Sequence, residues 1–585
     1  MDMTNIDAEK PLLPIRKLQS STTAWLRQSI SFIATHFKDI ALVVGPIVFV
    51  ILYFTVDIDD DTGKTGPMLA AMAWMFIWWV AEAVPLAVTA LVPLFLFPLL
   101  EIQTASSVSK SYTNDTIFLI LGSFILANAV RFHNLHKRLA LHIVLMFGSD
   151  PRLLLFGFCI GSAFISMWVD NAAAAAMLMP MAVSVQQKVH AGFQLQGGGS
   201  ANYPPGDFEN PSQSLQEHEE KNDTPSPLER KTSLCLEKHL SNVLTNMTAE
   251  DALKIELDFC RGVAISVAIS VTIGGMSTLT GNSVNLILSG LWETDFPKER
   301  VIYYMQWMLF AVPFAIIVLL ALWALLCIFF CPPSAVKPVS ASLHSLHLED
   351  ELARLGPMTS DQIAILLIFL VLIVFWMTKS LTGNVSGWAA LFDDYPANGS
   401  VTILMAIVLF VLPNPADLNQ KLMNWSQCKD IPWNIILLVG GGFALADGIK
   451  ASGLSDVISE EMTLLKSLPY WAITPTIALV TGIVTEFTSN SATASIFVPL
   501  MAEIALSIDE HPLFLMVPAA LGSQLSYMFP TATGPNAMAF AIEALRVKDM
   551  AVPGFFLKII AIVVLSIFMP TLGVLIFNTN SSVQT

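Results

Sequence analysis

Residues 485–491 read Thr-Glu-Phe-Thr-Ser-Asn-Ser and interrupt the middle of an otherwise apolar segment, residues 467–502. A second apolar segment, residues 153–187, is interrupted in the same way at Asp170 and Asn171. A helix that faces lipid cannot leave such groups unpaired, because the bilayer core holds no water to hydrogen-bond them. The pattern therefore predicts two re-entrant hairpins whose polar tips meet inside the protein.

The composition of the 585-residue chain agrees with a membrane protein. Hydrophobic residues make up 54% of the chain and charged residues 13%, whereas soluble domains have about 45–50% and about 25%. The mean hydropathy is +0.64. The net charge of −16 argues against a nucleic-acid partner. The six cysteines include no CxxC pair, so neither a disulfide framework nor a zinc site is indicated.

Eleven further segments are apolar enough to be counted as membrane crossings, since a spanning helix needs about 17–25 largely apolar residues. They are residues 40–56, 67–81, 83–100, 116–130, 262–292, 303–331, 362–378, 397–416, 431–446, 511–542 and 559–577. Basic residues precede Ile40, and the positive-inside rule then places the N-terminus in the cytosol. We expect an all-α polytopic membrane protein with about 11 transmembrane helices plus two re-entrant hairpins.

An internal repeat relates the two hairpins. At an offset of 319 residues, Gly122, Phe124, Leu126, Ala127, Leu135, Asn171, Ala173 and Pro180 recur as Gly441, Phe443, Leu445, Ala446, Leu454, Asn490, Ala492 and Pro499. Five crossings separate the copies, and an odd number inverts the second copy relative to the first. Further on, Gly281 and Gly534 are related by 253 residues, an offset shorter by about the length of the polar loop 188–261. Inverted repeats with broken helices are typical of secondary transporters.

The repeat and the polar segments predict the domain organisation. Residues 1–39 form a cytosolic tail, 40–187 the first half with its scaffold helices and hairpin, and 188–261 a disordered cytosolic loop. Residues 262–361 complete the first repeat, 362–577 form the second repeat with the second hairpin, and 578–585 form a C-terminal tail.

The polar interruptions suit anion and cation binding rather than catalysis. Residues 278–285 and 531–536 break two more helices, and a half-helix N-terminus inside the membrane favours a carboxylate. Hydroxyl, amide and carbonyl oxygens at a break are ligands that a sodium ion takes. The sequence has no GxxxxGK[ST] loop and no HExxH motif, so we expect an ion-driven transporter, not an enzyme, without a cofactor. Glu82, Glu486, Glu503 and Glu543 lie in or beside apolar runs and are functional candidates.

On these motifs the chain resembles the divalent anion/sodium symporters, the family of sodium-coupled di- and tricarboxylate and sulfate transporters. The second tip, residues 485–493, matches one of the two Ser-Asn-Thr tips of that family. The other matching residues are 81–86, 88–90, 274–275, 278–281, 432–434 and 440–443, and the resemblance extends from Ile40 to Phe577.

The resemblance implies the site residues. It implies one cation site with Ser166, Asn171 and Gly281 and another with Thr485, Thr488, Asn490 and Ala532. Substrate carboxylates would meet Asn171, Ser489, Asn490, Ser491 and Thr533. No other metal is implied.

Asp170 stands where the family has serine, and we include it in the first cation site. Beside a bound dianion it would take up a proton, keep a cation bound beside it, or turn away to cap its own half-helix. The proton, which would make coupling depend on pH, is the favoured of these three hypotheses.

The transport cargo implied is a small di- or tricarboxylate anion, such as malate, succinate, fumarate or citrate, coupled to sodium ions or protons. The resemblance also implies an elevator movement and a homodimer surrounded by membrane lipid. The altered first tip, with Pro-Leu-Leu-Pro at residues 11–14, is more typical of the plant vacuolar branch, which favours the tonoplast over the plasma membrane. A sulfate carrier and a passive anion channel remain alternatives.

Overall fold

The structure is a computed structural model, and it describes most of the region between the two tails. The described residues are 38–56, 63–135, 138, 142, 150–196, 249–299, 301–344, 356–379, 387–393, 395–415, 417–454, 457, 468–541 and 545–580. The N-terminal dileucine segment, the centre of the 188–261 loop, Glu543 and the last five residues lie outside them.

The described chain is helical, as expected. In order, its helices are α1 (Lys38–Thr55), α2 (Thr65–Ala81), α3 (Leu86–Thr89), α4 (Val92–Leu99), α5 (Ala105–Ser111), α6 (Asp115–Phe132), α7 (Pro151–Ser166), α8 (Asn171–Gln196), α9 (Ala249–Met276), α10 (Ser283–Asp295), α11 (Tyr304–Phe330), α12 (Pro333–His344), α13 (Ser360–Thr378), α14 (Asn398–Val411), α15 (Trp433–Ala451), α16 (Tyr470–Val484), α17 (Asn490–Ser507), α18 (Pro512–Gly522), α19 (Gly534–Phe540), α20 (Val547–Phe568) and α21 (Val574–Phe577). A two-stranded antiparallel hairpin, β1 (Pro413–Asn414) and β2 (Asp417–Lys421), lies between α14 and α15.

All eleven predicted crossings contain helix, and the all-α polytopic class is confirmed. Seven helices within the described residues are long and apolar enough to cross a membrane. They differ sharply in burial: the apolar window of α9 is 94% buried within the protein, whereas that of α1 is 11% buried. A helix that is apolar all round and this deeply buried belongs to the protein core, and an exposed one faces lipid. The α9 helix is therefore central and α1 peripheral.

Four helix pairs correspond to the interrupted segments. The first hairpin is α7 and α8, joined by residues 167–170, and the second hairpin is α16 and α17, joined by residues 485–489. The first broken helix is α9 and α10, with its break at residues 277–282; the second is α18 and α19, with its break at residues 523–533. Each hairpin packs against the broken helix of its own half, α7 and α8 on α9, and α16 and α17 on α18.

Two predicted boundaries were wrong. Residues 83–100 form two short helices rather than one, because Pro93, in the first turn of α4, lacks the N–H group that would continue α3 into α4. The loop predicted over residues 188–261 is shorter, since α8 continues to Gln196 and α9 begins at Ala249. The two flanking helices pack against each other, and Gln186 Nε2 donates to the Cys260 carbonyl at 2.7 Å.

The repeat extends to the two breaks in a slightly different register from the predicted one. Asn282 caps α10 and Thr533 caps α19, each accepting a backbone N–H with its side chain. Three residues later, Asn285 donates its Nδ2 to carbonyls ten and seven residues back (2.9 and 2.7 Å), and Asn536 does the same (3.0 and 3.1 Å). The equivalent positions are therefore 251 residues apart, not 253, because the helix caps rather than the glycines are repeated.

Candidate transport site at the hairpin tips

The first tip brings three of the predicted cation-site residues together. The Ser166 hydroxyl donates to Asn171 Oδ1 at 2.8 Å across the turn of the first hairpin. A Cβ atom on Gly281 would lie 3.0 Å from the Ser166 carbonyl oxygen, and one on Gly275 would collide with Asn171 Oδ1. The glycines therefore let the first break approach the tip closely. Hydroxyl, amide and carbonyl oxygens converge there, which is the donor set that a hard cation takes.

The second tip repeats this arrangement 319 residues later. Thr485 Oγ1 donates to Asn490 Oδ1 at 2.8 Å, and the same hydroxyl lies 2.6 Å from the Ser523 carbonyl oxygen in the second break. Thr488 is buried, but its hydroxyl lies 2.6 Å from that of Thr493 within the hairpin. Ala532 is buried in the break. Thr485 and Asn490 are thus joined directly, whereas Thr488 contacts its own hairpin.

Asp170 and Ser489 occupy equivalent positions and make equivalent contacts. Asp170 Oδ1 accepts from the backbone N–H groups of Ala172 and Ala173 (3.0 and 3.4 Å), and Ser489 Oγ accepts from that of Ala492 (3.2 Å). Both side chains cap the helix that follows the tip. Of the three uses considered for Asp170, these contacts support the cap, since aspartate and serine are both good N-cap residues.

Each tip also meets the broken helix of the other half. Ser491 in the second tip lies 2.6 Å, hydroxyl to hydroxyl, from Ser283 at the start of α10. A Cβ atom on Gly534 at the start of α19 would lie 3.3 Å from the Cβ of Ala172 in the first tip. These pairs are equivalent in the two halves, so the molecule has an approximate two-fold axis between the tips. One side of the axis carries hydroxyls and the other is apolar.

Side-chain amides connect the two breaks across this axis. Asn282 Nδ2 donates to Gln524 Oε1 at 2.8 Å, and Gln524 Nε2 donates to Asn285 Oδ1 at 2.8 Å. Gln524 is fully buried. A buried amide network is stabilising only when its members are paired. The three amides therefore hold the start of α10 and the end of α18 in one fixed arrangement.

The candidate acidic residues differ in their surroundings. Glu486 is buried and forms an ion pair with Lys558 at 2.5 Å. Glu82 is half exposed and pairs with Lys38 at 3.3 Å, and Glu503 is buried. The apolar pattern does not single out Lys558, because the predicted crossing begins one residue later, at residue 559. The helix begins at Val547 instead, which places this lysine in its middle.

Comparison with known proteins identifies the family. The sequence profile described as the sodium:sulfate symporter transmembrane region matches residues 36–578. Human solute carrier family 13 member 2 is 35% identical over 87% of this chain and 89% of its own length. The sodium-dependent dicarboxylate transporter SdcS of Staphylococcus saprophyticus is 30% identical over 92% of each chain. The mouse Na(+)/dicarboxylate cotransporter 3 is 31% identical over 88% and 90%. The chain belongs to the sodium:sulfate symporter family, as a multi-pass membrane transporter and not an enzyme.

Proposed function

We propose that this protein is a sodium-coupled secondary transporter of small dicarboxylates that binds its anion between the two hairpin tips. The observation that carries the proposal is the pair of equivalent hydroxyl–asparagine contacts, Ser166 with Asn171 and Thr485 with Asn490, one in each tip. Two relatives are named as sodium-dependent carriers of dicarboxylates, which supports this substrate class.

In this proposal each half provides one cation site. The first site would consist of Ser166, Asn171 and Gly281, with Asp170 next to it as the helix cap rather than as a ligand. The second site would consist of Thr485, Thr488, Asn490 and Ala532. A sodium ion at either site would bring positive charge next to the dipole-positive start of α8 or α17, where a carboxylate is stabilised. The dianion would meet Asn171, Ser489, Asn490, Ser491 and Thr533. Cation and anion would then bind together, because each lowers the electrostatic cost of the other.

Malate, succinate and fumarate are the proposed cargo, with citrate as a larger candidate. Movement of the hairpin regions against the remaining helices, a homodimer, a cytosolic N-terminus and residence in the tonoplast are further parts of the proposal. Protons are the alternative coupling ion. Sulfate is the alternative cargo, supported by the description of the matching family.

The test is uptake of labelled succinate into proteoliposomes, with sodium and pH varied independently and with malate or sulfate as competitor. We expect sodium to stimulate uptake and malate to compete better than sulfate. Stronger competition by sulfate than by malate would contradict the proposed dicarboxylate cargo and indicate a carrier of inorganic dianions. Currents far above carrier turnover, without stimulation by internal substrate, would indicate a channel instead.

Asn490→Ala should abolish this uptake, because Asn490 Oδ1 is the acceptor for Thr485 and the side chain also belongs to the proposed anion site. Asn171→Ala should do the same in the first half. Asn128→Ala is the matched control, since that half-buried amide donates to the Gln427 carbonyl away from the tips. A well-folded Asn490→Ala protein with wild-type uptake would contradict the proposed role.

A further inference from the structure

A fully buried ion pair lies behind the second tip. Glu486 Oε1 and Lys558 Nζ are 2.5 Å apart, and their side chains are only 3% and 7% exposed. An ionised side chain in a membrane-spanning region is costly and usually functional. Neither charge can be removed alone without leaving the other uncompensated.

The contacts of the pair extend over three elements. The Glu486 carboxylate accepts three consecutive backbone N–H groups in the second break, those of Tyr527 (3.0 Å), Met528 (3.1 and 3.2 Å) and Phe529 (3.1 Å). Lys558 Nζ also donates to the Gly482 carbonyl at 2.5 Å, near the end of α16. The pair therefore fixes the end of α16 and the second break to the middle of α20.

These contacts continue into the proposed second cation site. Thr485 precedes Glu486 directly and contacts Ser523 at the start of the break. At the other end, the Ala532 N–H donates to the carbonyl of Phe529 at 3.3 Å, and the Phe529 N–H binds Glu486. The hairpin side and the break side of the site are thus held at a fixed separation through one carboxylate.

The equivalent position in the first half carries no charge. The residue equivalent to Glu486, 319 positions earlier, is Met167. There a neutral contact joins hairpin and break, as the Thr278 hydroxyl donates to the Met167 carbonyl. At this position the hairpin and the break are therefore joined by different means, an ion pair with its hydrogen bonds in the second half and a neutral hydrogen bond in the first.

We propose that Glu486 and Lys558 are a positioning pair for the second cation site, in which Lys558 serves as a built-in cation. Its ammonium group keeps the Glu486 carboxylate on the backbone of the break, so that this carboxylate does not coordinate a transported ion. The inference rests on the proposed function, because it assumes that cations bind beside Thr485 and Asn490.

The test compares the full-length chain in proteoliposomes with Glu486→Gln, Lys558→Met and the double variant. Initial succinate uptake is measured against external sodium, and then against succinate at saturating sodium. Each single variant should raise the half-saturating sodium concentration about tenfold. One buried charge loses its partner, and the second break is no longer held by the paired carboxylate. The succinate KM at saturating sodium should change by less than about twofold, since a saturated cation site restores the substrate site.

The half-saturating sodium concentration of the double variant should lie between those of the wild type and the single variants. We expect it to be about threefold above the wild-type value, because the double variant leaves no uncompensated charge. It decides the question if a single variant fails to insert. Glu82→Gln is the control, since it removes a carboxylate from an exposed pair with Lys38.

Variants whose sodium dependence matches the wild type, or which lose only maximal rate, would reduce the pair to a structural role and overturn the inference. Wild-type uptake that does not respond to sodium would overturn the proposed function along with it. A wild type that is stimulated by sodium, with variants that keep its half-saturating sodium concentration, would overturn only the inference about the pair.

Discussion

Asp170 and Ser489 illustrate how one position can carry different side chains for the same physical purpose. Each follows an apolar helix and precedes another, and each accepts N–H groups from the turn that follows. Those N–H groups have no partner within the helix, and a buried one without an acceptor is costly. The carboxylate of Asp170 is thereby directed at its own helix rather than at the centre of the tip.

Asp170→Ser and Asp170→Asn should therefore keep both transport and its pH profile, because both residues preserve the cap. Asp170→Ala should destabilise the hairpin by about 0.5–2 kcal/mol, the usual cost of a lost N-cap. Malate uptake from about pH 5 to pH 8, with the concentration of malate dianion held constant, checks the first expectation, since a carboxyl group that takes up a proton during coupling must titrate above its ordinary pKa of about 4. A changed pH profile in both the Ser and Asn variants would contradict the cap as the main role. It would mean that Asp170 takes part in coupling, either by taking up a proton or by binding a cation.

At the scale of elements, the broken helices depend on two asparagines. A break frees carbonyl groups that the bilayer cannot hydrate. Asn285 Nδ2 supplies donors to the carbonyls of Gly275, Met276 and Thr278 (2.9, 3.4 and 2.7 Å), and Asn536 serves the second break equivalently. An amide is suited to this place because it donates with one end and accepts with the other.

Asn285→Ala should lower the stability of the protein, at a cost of about 1–3 kcal/mol for each buried acceptor left without a donor. Asn285→Asp should lower the stability further than Asn285→Ala does, because a carboxylate would face those carbonyls and has no donor of its own. The midpoint of thermal unfolding in detergent measures both variants, with Asn128→Ala as the control. The opposite order, with Asp tolerated better than Ala, would contradict this account of the break.

At the scale of the whole molecule, the two halves are interlocked rather than merely adjacent. Each tip contacts the other half's broken helix, through Ser283 and Ser491 on one side and through Gly534 and Ala172 on the other. Gln524 then joins the breaks directly. The ends of the 197–248 segment are held independently of it, because α8 packs on α9 and Gln186 Nε2 donates to the Cys260 carbonyl at 2.7 Å.

Deletion of residues 197–227 should therefore leave succinate uptake within about twofold of wild type, since the segment is too polar to contribute a packed core. Replacement of the same residues by an equally long Gly/Ser linker is the control for loop length. Proteoliposome uptake, normalised to inserted protein, is the measurement. Normal insertion without transport in both proteins would mean that the segment itself takes part in the transport cycle.

The sequence by itself determined the class of the protein, its eleven helical segments, both hairpins and the family, because apolar length and polar interruption are local properties of the chain. The repeat identified Asn171 and Asn490 as equivalent positions, because residue identity at a fixed offset can also be read directly from the chain. It misplaced the equivalence of the breaks by two residues, since identity of glycines suggested a register that helix capping does not follow.

Only the tertiary structure decided which groups meet. Glu486 and Lys558 are 72 residues apart in the chain, and Asn282 and Gln524 are 242 apart. Nothing local to either residue specifies its partner, because these contacts form only when hairpins and breaks pack together. The orientation of Asp170 was decided in the same way: the sequence left three uses open, and the position of two backbone N–H groups favoured the cap. Long-range pairing of buried polar groups is a property of the packed molecule, since burial itself requires each group to find a partner.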